Sequence, residues 1–257
     1  GALVAHSPSG LILFELGYRI NLRWRRINAW IGVAGLAGAA LAFVAVYVAA
    51  LASGTSQLIA LMMAALSMGT SPATVVRIIN EQRSSGQVTE RVLHLTALNC
   101  VLAVFAFNVI IGFWVFHTFD AVGDALWLSL VMLAGSALLG AVFGVAVPAL
   151  LRAIHKPDQD ATVAFALAVL LLVAICDAGA LSPYVAALAF GLTARHRRIA
   201  FSQAQRNFGA LGELLTVLLF VFAASTLDWR QLASGNALGV AIIVVLLGAG
   251  AKILGAT

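Results

Sequence analysis

Nine apolar intervals, nearly free of charge and separated by short polar connections, set the pattern of this 257-residue chain. They run over residues 2–18, 28–51, 57–76, 92–116, 125–151, 161–176, 182–194, 208–226 and 236–256. A helix needs about 20 mostly apolar residues to cross roughly 30 Å of hydrocarbon, so the intervals predict an all-α, polytopic helical bundle in a membrane. The two short intervals on either side of Asp177 fit a pair of crossings, or a re-entrant or tilted pair.

The connections test this division, because Lys and Arg should collect on alternate loops. Arg19, Arg23, Arg25 and Arg26 follow the first interval, and Arg77, Arg83 and Arg91 the third. Arg152 and Lys156 follow the fifth, and Arg195, Arg197, Arg198 and Arg206 the seventh. The other connections carry Ser53-Gly54-Thr55, Asp120 with Asp124, Asp177, and Asp228 with Arg230. Thirteen of the fifteen basic residues thus fall on one side, which predicts nine crossings with the N-terminus outside and the far end inside.

Composition agrees: 62% of residues are hydrophobic and 10% charged, and the mean hydropathy is +1.03. The formal charge of +5 sits in the clusters that encode topology, so a nucleic-acid partner is not expected and the lipid bilayer is. Cys100 and Cys176 both lie in apolar runs and suggest neither a disulfide framework nor a zinc site. Residues 1–257 read as a single transmembrane domain. With no signal-peptide pattern before the first interval and no polar flank after the last, it is expected to be truncated at both ends.

Chemistry concentrates in few places. The third interval contains Leu66-Ser67-Met68-Gly69-Thr70-Ser71-Pro72-Ala73-Thr74. Pro72 lacks an amide donor and pushes Ser71 away from helical angles, so the helix either breaks and exposes carbonyls or kinks and is healed by the hydroxyls. Broken backbone at membrane depth is tolerated where it is packed in protein or lines a cavity. Asn99 and Cys100 lie about eight residues into the fourth interval, roughly 12 Å deep and close to the midplane. Asn99 suits a freed carbonyl or an ion, and suits interhelical contact equally.

Glu15, Asp177, Glu213 and Lys252 are ionisable residues inside or at the edges of apolar intervals, where an unpaired charge is costly, so each is a pathway candidate. Glu15 and Glu213 have Arg19 and Arg206 near them as simple partners, Asp177 fits a solvated turn, and Lys252 needs a partner unless it snorkels. GxGxxG, Walker, HExxH and GxSxG patterns are absent, as are paired carboxylates at one membrane face. Neither an enzyme nor a resident cofactor is expected.

Nearly the whole chain resembles the sodium/proton exchanger family of the monovalent cation:proton antiporters. Leu13-Phe14-Glu15-Leu16-Gly17-Tyr18-Arg19-Ile20-Asn21 resembles its early Leu-Phe-x-x-Gly segment, and Gly69-Thr70-Ser71-Pro72-Ala73 its broken helix. Thr96-Ala97-Leu98-Asn99-Cys100-Val101-Leu102-Ala103 is similar to the helix that bears Asn-Asp or Asp-Asp. Residues 220–228 are similar to a Phe-Val-rich segment ending in Leu-Asp, and 251–255 to the helix with a basic residue near the ion site.

The resemblance implies a secondary transporter of the plasma (inner) membrane. In it a core of crossed, broken helices moves against a dimerisation domain by alternating access, and protons compete with Na⁺ or K⁺ at a midplane site. It implies a pathway of Thr70, Ser71, Asn99, Cys100 and Lys252, a homodimer, and a second broken helix beyond residue 257. Gly32-Val33-Ala34-Gly35 and Gly38 fit close helix contact in a dimer and fit intramolecular packing equally. Cys100 stands where the family has its competing Asp. A thiol ordinarily titrates at about 8.5 and is a soft donor, whereas a carboxylate titrates lower and suits hard alkali cations. Three readings follow: an antiporter whose proton site is Asp177, Glu213 or Glu15; the same fold carrying another solute; or a relative that senses or scaffolds without transport.

Overall fold

A computed structural model describes residues 2–20, 30–115, 122–153 and 161–196, with single positions between 217 and 250. The described residues are helical, joined by short turns and without a strand. In chain order the helices are α1 (Ala2–Arg19), α2 (Trp30–Ala52), α3 (Gln57–Met68), α4 (Pro72–Gln82), α5 (Gln87–Ile110), α6 (Val122–Ala153), α7 (Ala161–Ala178) and α8 (Pro183–His196). A π-helical turn, Ile111–Val115, continues α5. Of the expected spans at 208–226 and 236–256 only those single positions are described, and Glu213 and Lys252 lie outside the described residues.

Among the described residues four stretches are long and apolar enough to cross a membrane: Trp30–Ala52, Gln57–Gln82, Gln87–Trp114 and Gly123–Arg152. Val163–Ala178 is a shorter apolar helix. The uncharged 23 residues of α2 reach about 34 Å, enough for the hydrocarbon layer. Their outward face carries Trp30, Val33, Leu36, Val44 and Val48, which suits lipid, while Ala39, Ala42, Val46 and Ala50 are buried.

Two helices exceed the intervals read from hydropathy by a full turn or more at one end, since a polar turn extends a helix without adding apolar length. α4 continues to Gln82 through a turn supported by an Arg77–Glu81 ion pair at 2.7 Å. α5 begins at Gln87.

The chain divides into two compact units: residues 1–22, 71–93 and 131–223, and residues 23–70, 94–130 and 224–257. In the first, α1, α7 and α8 pack around Phe14, Phe165 and Phe190, all buried, with ring centroids 4.6 to 5.8 Å apart. Phe143 of α6 meets Phe190 edge-on at 6.0 Å.

Two glycines set how closely α1 and α8 approach. A Cβ on Gly17 would run into the Leu188 carbonyl, and one on Gly191 into the Phe14 carbonyl. Backbone lies against backbone at this crossing, as at small-residue contacts between membrane helices. The turn from α7 to α8 closes with Leu181 N–H donating to Cys176 O at 2.9 Å around a left-handed Ala180. The buried Ser182 amide donates to Ser136 Oγ of α6 at 2.9 Å, and Pro183 occupies the first helical position, where no donor is needed.

In the second unit α2 and α3 form an antiparallel hairpin through the turn at 53–56. Ser67 Oγ of α3 donates to its own helix at Ala64 O, 2.6 Å, and to Ala42 O of α2, 3.3 Å. α5 packs beside them: a Cβ on Gly35 would lie 2.7 Å from Leu98 Cδ2 and 2.9 Å from Leu95 Cδ2. Packing within the chain therefore accounts for Gly35, while Gly32 opens to the surface.

Candidate functional site

The break that Pro72 predicts is present. α3 stops at Met68, Gly69 is extended at φ −62°, ψ 144°, and Ser71 at φ −66°, ψ 108°. α4 starts at Pro72, so residues 69–71 interrupt an otherwise continuous 57–82 stretch. Pro72 can begin a helix, because the first-turn amide would lack an intrahelical partner anyway, but it cannot continue one from upstream. Ser71 serves as the cap: its Oγ accepts from Thr74 N at 3.4 Å and from Thr74 Oγ1 at 3.1 Å. This hydroxyl is exposed and already engaged with α4.

Thr70 is treated differently. α5 brings two consecutive residues to it: Asn99 Nδ2 donates to Thr70 Oγ1 at 3.0 Å, and the Cys100 thiol donates to Thr70 O at 3.3 Å. Side-chain groups of α5 thus replace part of the hydrogen bonding that the uncoiled backbone loses. Asn99 is 8% exposed, and its Oδ1 is buried without a hydrogen-bond partner. A buried acceptor left unpaired costs about 1–3 kcal/mol, and here it belongs to the amide already turned toward the break. The donors gathered at Thr70 are neutral oxygens and a thiol. Among the described residues no three His, Cys, Asp or Glu side chains gather as a metal site.

The structure therefore brings together Thr70, Asn99 and Cys100 of the expected pathway and directs Ser71 into a cap. Lys252 and Glu213 lie outside the described residues. Asp177 is exposed in the last turn of α7, as a solvated turn requires. Glu15 is buried and pairs with Arg19 at 2.8 Å, the local partner expected from their spacing. Sequence reading missed two features beside that pair. Arg19 Nη2 also donates to Asn80 Oδ1 of α4 at 2.6 Å, and Arg195 donates to the Tyr18 and Arg19 carbonyls that end α1. Unsatisfied carbonyls at a helix C-terminus do attract cations, but nothing local marks Arg195, 176 residues away, as their partner.

Ser71→Ala tests the division of labour between the two hydroxyls. As an exposed cap with a long bond, Ser71 should contribute about 0.5 kcal/mol, the low end for such caps. Thermal unfolding of the full-length protein in detergent should shift only slightly, with ion flux close to wild type. A loss of flux with an unchanged unfolding curve would make Ser71 a ligand instead.

Membrane-length helices, one of them uncoiled in mid-course beside a cluster of polar groups, define a multi-pass helical membrane protein with a discontinuous helix. The chain belongs to the sodium/hydrogen exchanger family: the family model described as "Sodium/hydrogen exchanger, transmembrane" matches residues 10–257. Its members exchange cations for protons across membranes, and they are transporters and not enzymes. No curated protein matches the chain.

Proposed function

We propose that this protein is a secondary active antiporter that exchanges protons for Na⁺ or K⁺ across the plasma (inner) membrane by alternating access. The observation that carries this reading is the Thr70 break, with Asn99 and Cys100 hydrogen-bonded to it and Asn99 Oδ1 buried and unpaired. A dehydrated monovalent cation needs several oxygen donors. Asn99 Oδ1 and Thr70 Oγ1 at the break supply part of that chemistry, with Lys252 completing the pathway in our reading. The domain comprises residues 1–257 with nine crossings, the N-terminus outside, and works as a homodimer.

Cys100 bears on how the proton is carried. With a thiol in place of the family's carboxylate, the proton is assigned to Glu15, Asp177 or Glu213; among the described residues Glu15 is the only buried carboxylate. The same thiol favours a second reading, in which the fold is kept and ordinary exchange has been lost to another solute or to a sensing or scaffolding role.

The test is proton flux in liposomes containing the full-length protein, driven by Na⁺ or K⁺ gradients. Wild type is compared with Cys100→Asp, Glu15→Gln, Asp177→Asn and Glu213→Gln. Wild-type flux that drops about tenfold or more in one carboxylate variant is the expected result, since each factor of ten corresponds to about 1.4 kcal/mol. Flux absent from wild type with both cations and gained by Cys100→Asp would establish the second reading.

A further inference from the structure

Apart from the Thr70 site, one polar cluster stands out because it touches the last turn of α4. Glu15 is 6% exposed near the end of α1, and the i, i+4 spacing puts Arg19 on the same face, with Nη2 2.8 Å from Glu15 Oε1. A carboxylate this buried needs a cation, so the pair fixes the guanidinium. The backbone beneath it is held as well, because Arg195 donates to Tyr18 O and Arg19 O and completes the C-terminus of α1. Held at both its backbone and one nitrogen, Arg19 presents the same Nη2 to Asn80 Oδ1, 2.6 Å away in the last turn of α4.

Helix α4 is a stiff rod of 11 residues, about 16 Å long, whose first residue follows Ser71. Whatever holds its last turn restricts the direction in which it leaves the break. Asn80 is exposed, so water competes for the contact and the bond can open and re-form. That is the strength suited to an element that changes position during a transport cycle.

We propose that Arg19 is a positioning residue for transport: held by Glu15 and Arg195, it latches the last turn of α4 to α1 through Asn80 and so orients the half-helix that begins two residues after Thr70. The inference rests on the antiport reading above for its role in transport, though the latch can be tested without flux.

The experiment uses full-length protein in liposomes as wild type, Asn80→Ala and Asn80→Asp. Arg19 itself is left in place, because removing it would strand a buried carboxylate. A membrane-impermeant maleimide is applied from either face, and modification of the peptides holding Cys100 and Cys176 is followed by mass spectrometry. Cys100 reports on the break through its bond to Thr70 O, and the fully buried Cys176 reports unfolding.

In Asn80→Ala, Cys100 should react about five- to tenfold faster than in wild type, the scale of one charge-assisted hydrogen bond weakened by exposure. Asn80→Asp keeps an oxygen toward Arg19 and should react no faster than wild type, with Cys176 protected throughout. Flux measurements should show a raised apparent KM for the driving cation in Asn80→Ala, a smaller change in maximal rate, and recovery in Asn80→Asp.

Equal Cys100 rates in wild type and Asn80→Ala would overturn the latch. So would Asn80→Asp reacting as fast as Asn80→Ala, or Cys176 becoming reactive, which would make the contact a support of the fold. Absent wild-type flux with the labelling difference intact would sink the antiport reading and leave the latch standing.

Discussion

Gly191→Ala should lower the stability of the full-length protein by about 2 kcal/mol or more, the range for forcing extra volume into a packed site. The direction is the opposite of what helix propensity predicts. Alanine is favoured over glycine within helices by up to about 1 kcal/mol, so an unobstructed exchange stabilises. At Gly191 the new methyl meets the Phe14 carbonyl, and a backbone cannot swing aside as a flexible side chain can. α1 and α8 must separate, which loosens the Phe14, Phe165 and Phe190 cluster packed between α1, α7 and α8. Gly32→Ala is the matched control, since a Cβ there meets nothing within 4 Å. Thermal unfolding in detergent, followed by circular dichroism, should show Gly191→Ala well below wild type and Gly32→Ala equal or above it. Equal midpoints for the two variants would mean that α1 and α8 do not cross backbone to backbone.

Asn99→Leu should have the largest effect on transport, reducing cation-driven proton flux about tenfold or more while leaving the protein as stable as wild type or slightly more so. The two effects separate because of the side chain's two ends. Its Nδ2 donates to Thr70 Oγ1, a hydroxyl that can rotate to another partner, whereas its Oδ1 is buried with none. Leucine keeps the branching at Cγ and removes the unpaired acceptor, and that gain offsets the cost of its larger volume. An ion site loses a donor in the same exchange. Such opposition between stability and activity marks a group kept for function. Retained flux with a clear fall in the unfolding midpoint would make Asn99 interhelical glue, the other reading open from its sequence position. Flux and unfolding measured on the same preparation distinguish the two.

Much of this was legible before any coordinates. Lipid-facing helices must be long and apolar, so α2 and α6 stand out as uninterrupted runs, and Pro72 after Gly69-Thr70-Ser71 marks the break because proline's missing donor acts locally. The Glu15–Arg19 pair follows from a spacing of four on one helix. The partner of Thr70 was only half legible: Asn99 could be placed near the membrane midplane by counting residues, but counting does not say which side chain turns toward which carbonyl.

What the sequence by itself determined is therefore the part governed by short-range rules: solvent class, the helices, the position of the break and the residue types available to it. Tertiary structure decided which of those residues meet. Ser71 and Thr70 are adjacent hydroxyls, yet one caps α4 and the other receives Asn99 and Cys100, because residues 94–110 of α5 fold into the same compact unit as Thr70. Arg195 closes α1 from 176 residues away, and Gly17 and Gly191 matter as a pair because two backbones cross there. Contacts of that kind depend on packing between distant segments, which no local pattern of apolar and polar positions encodes.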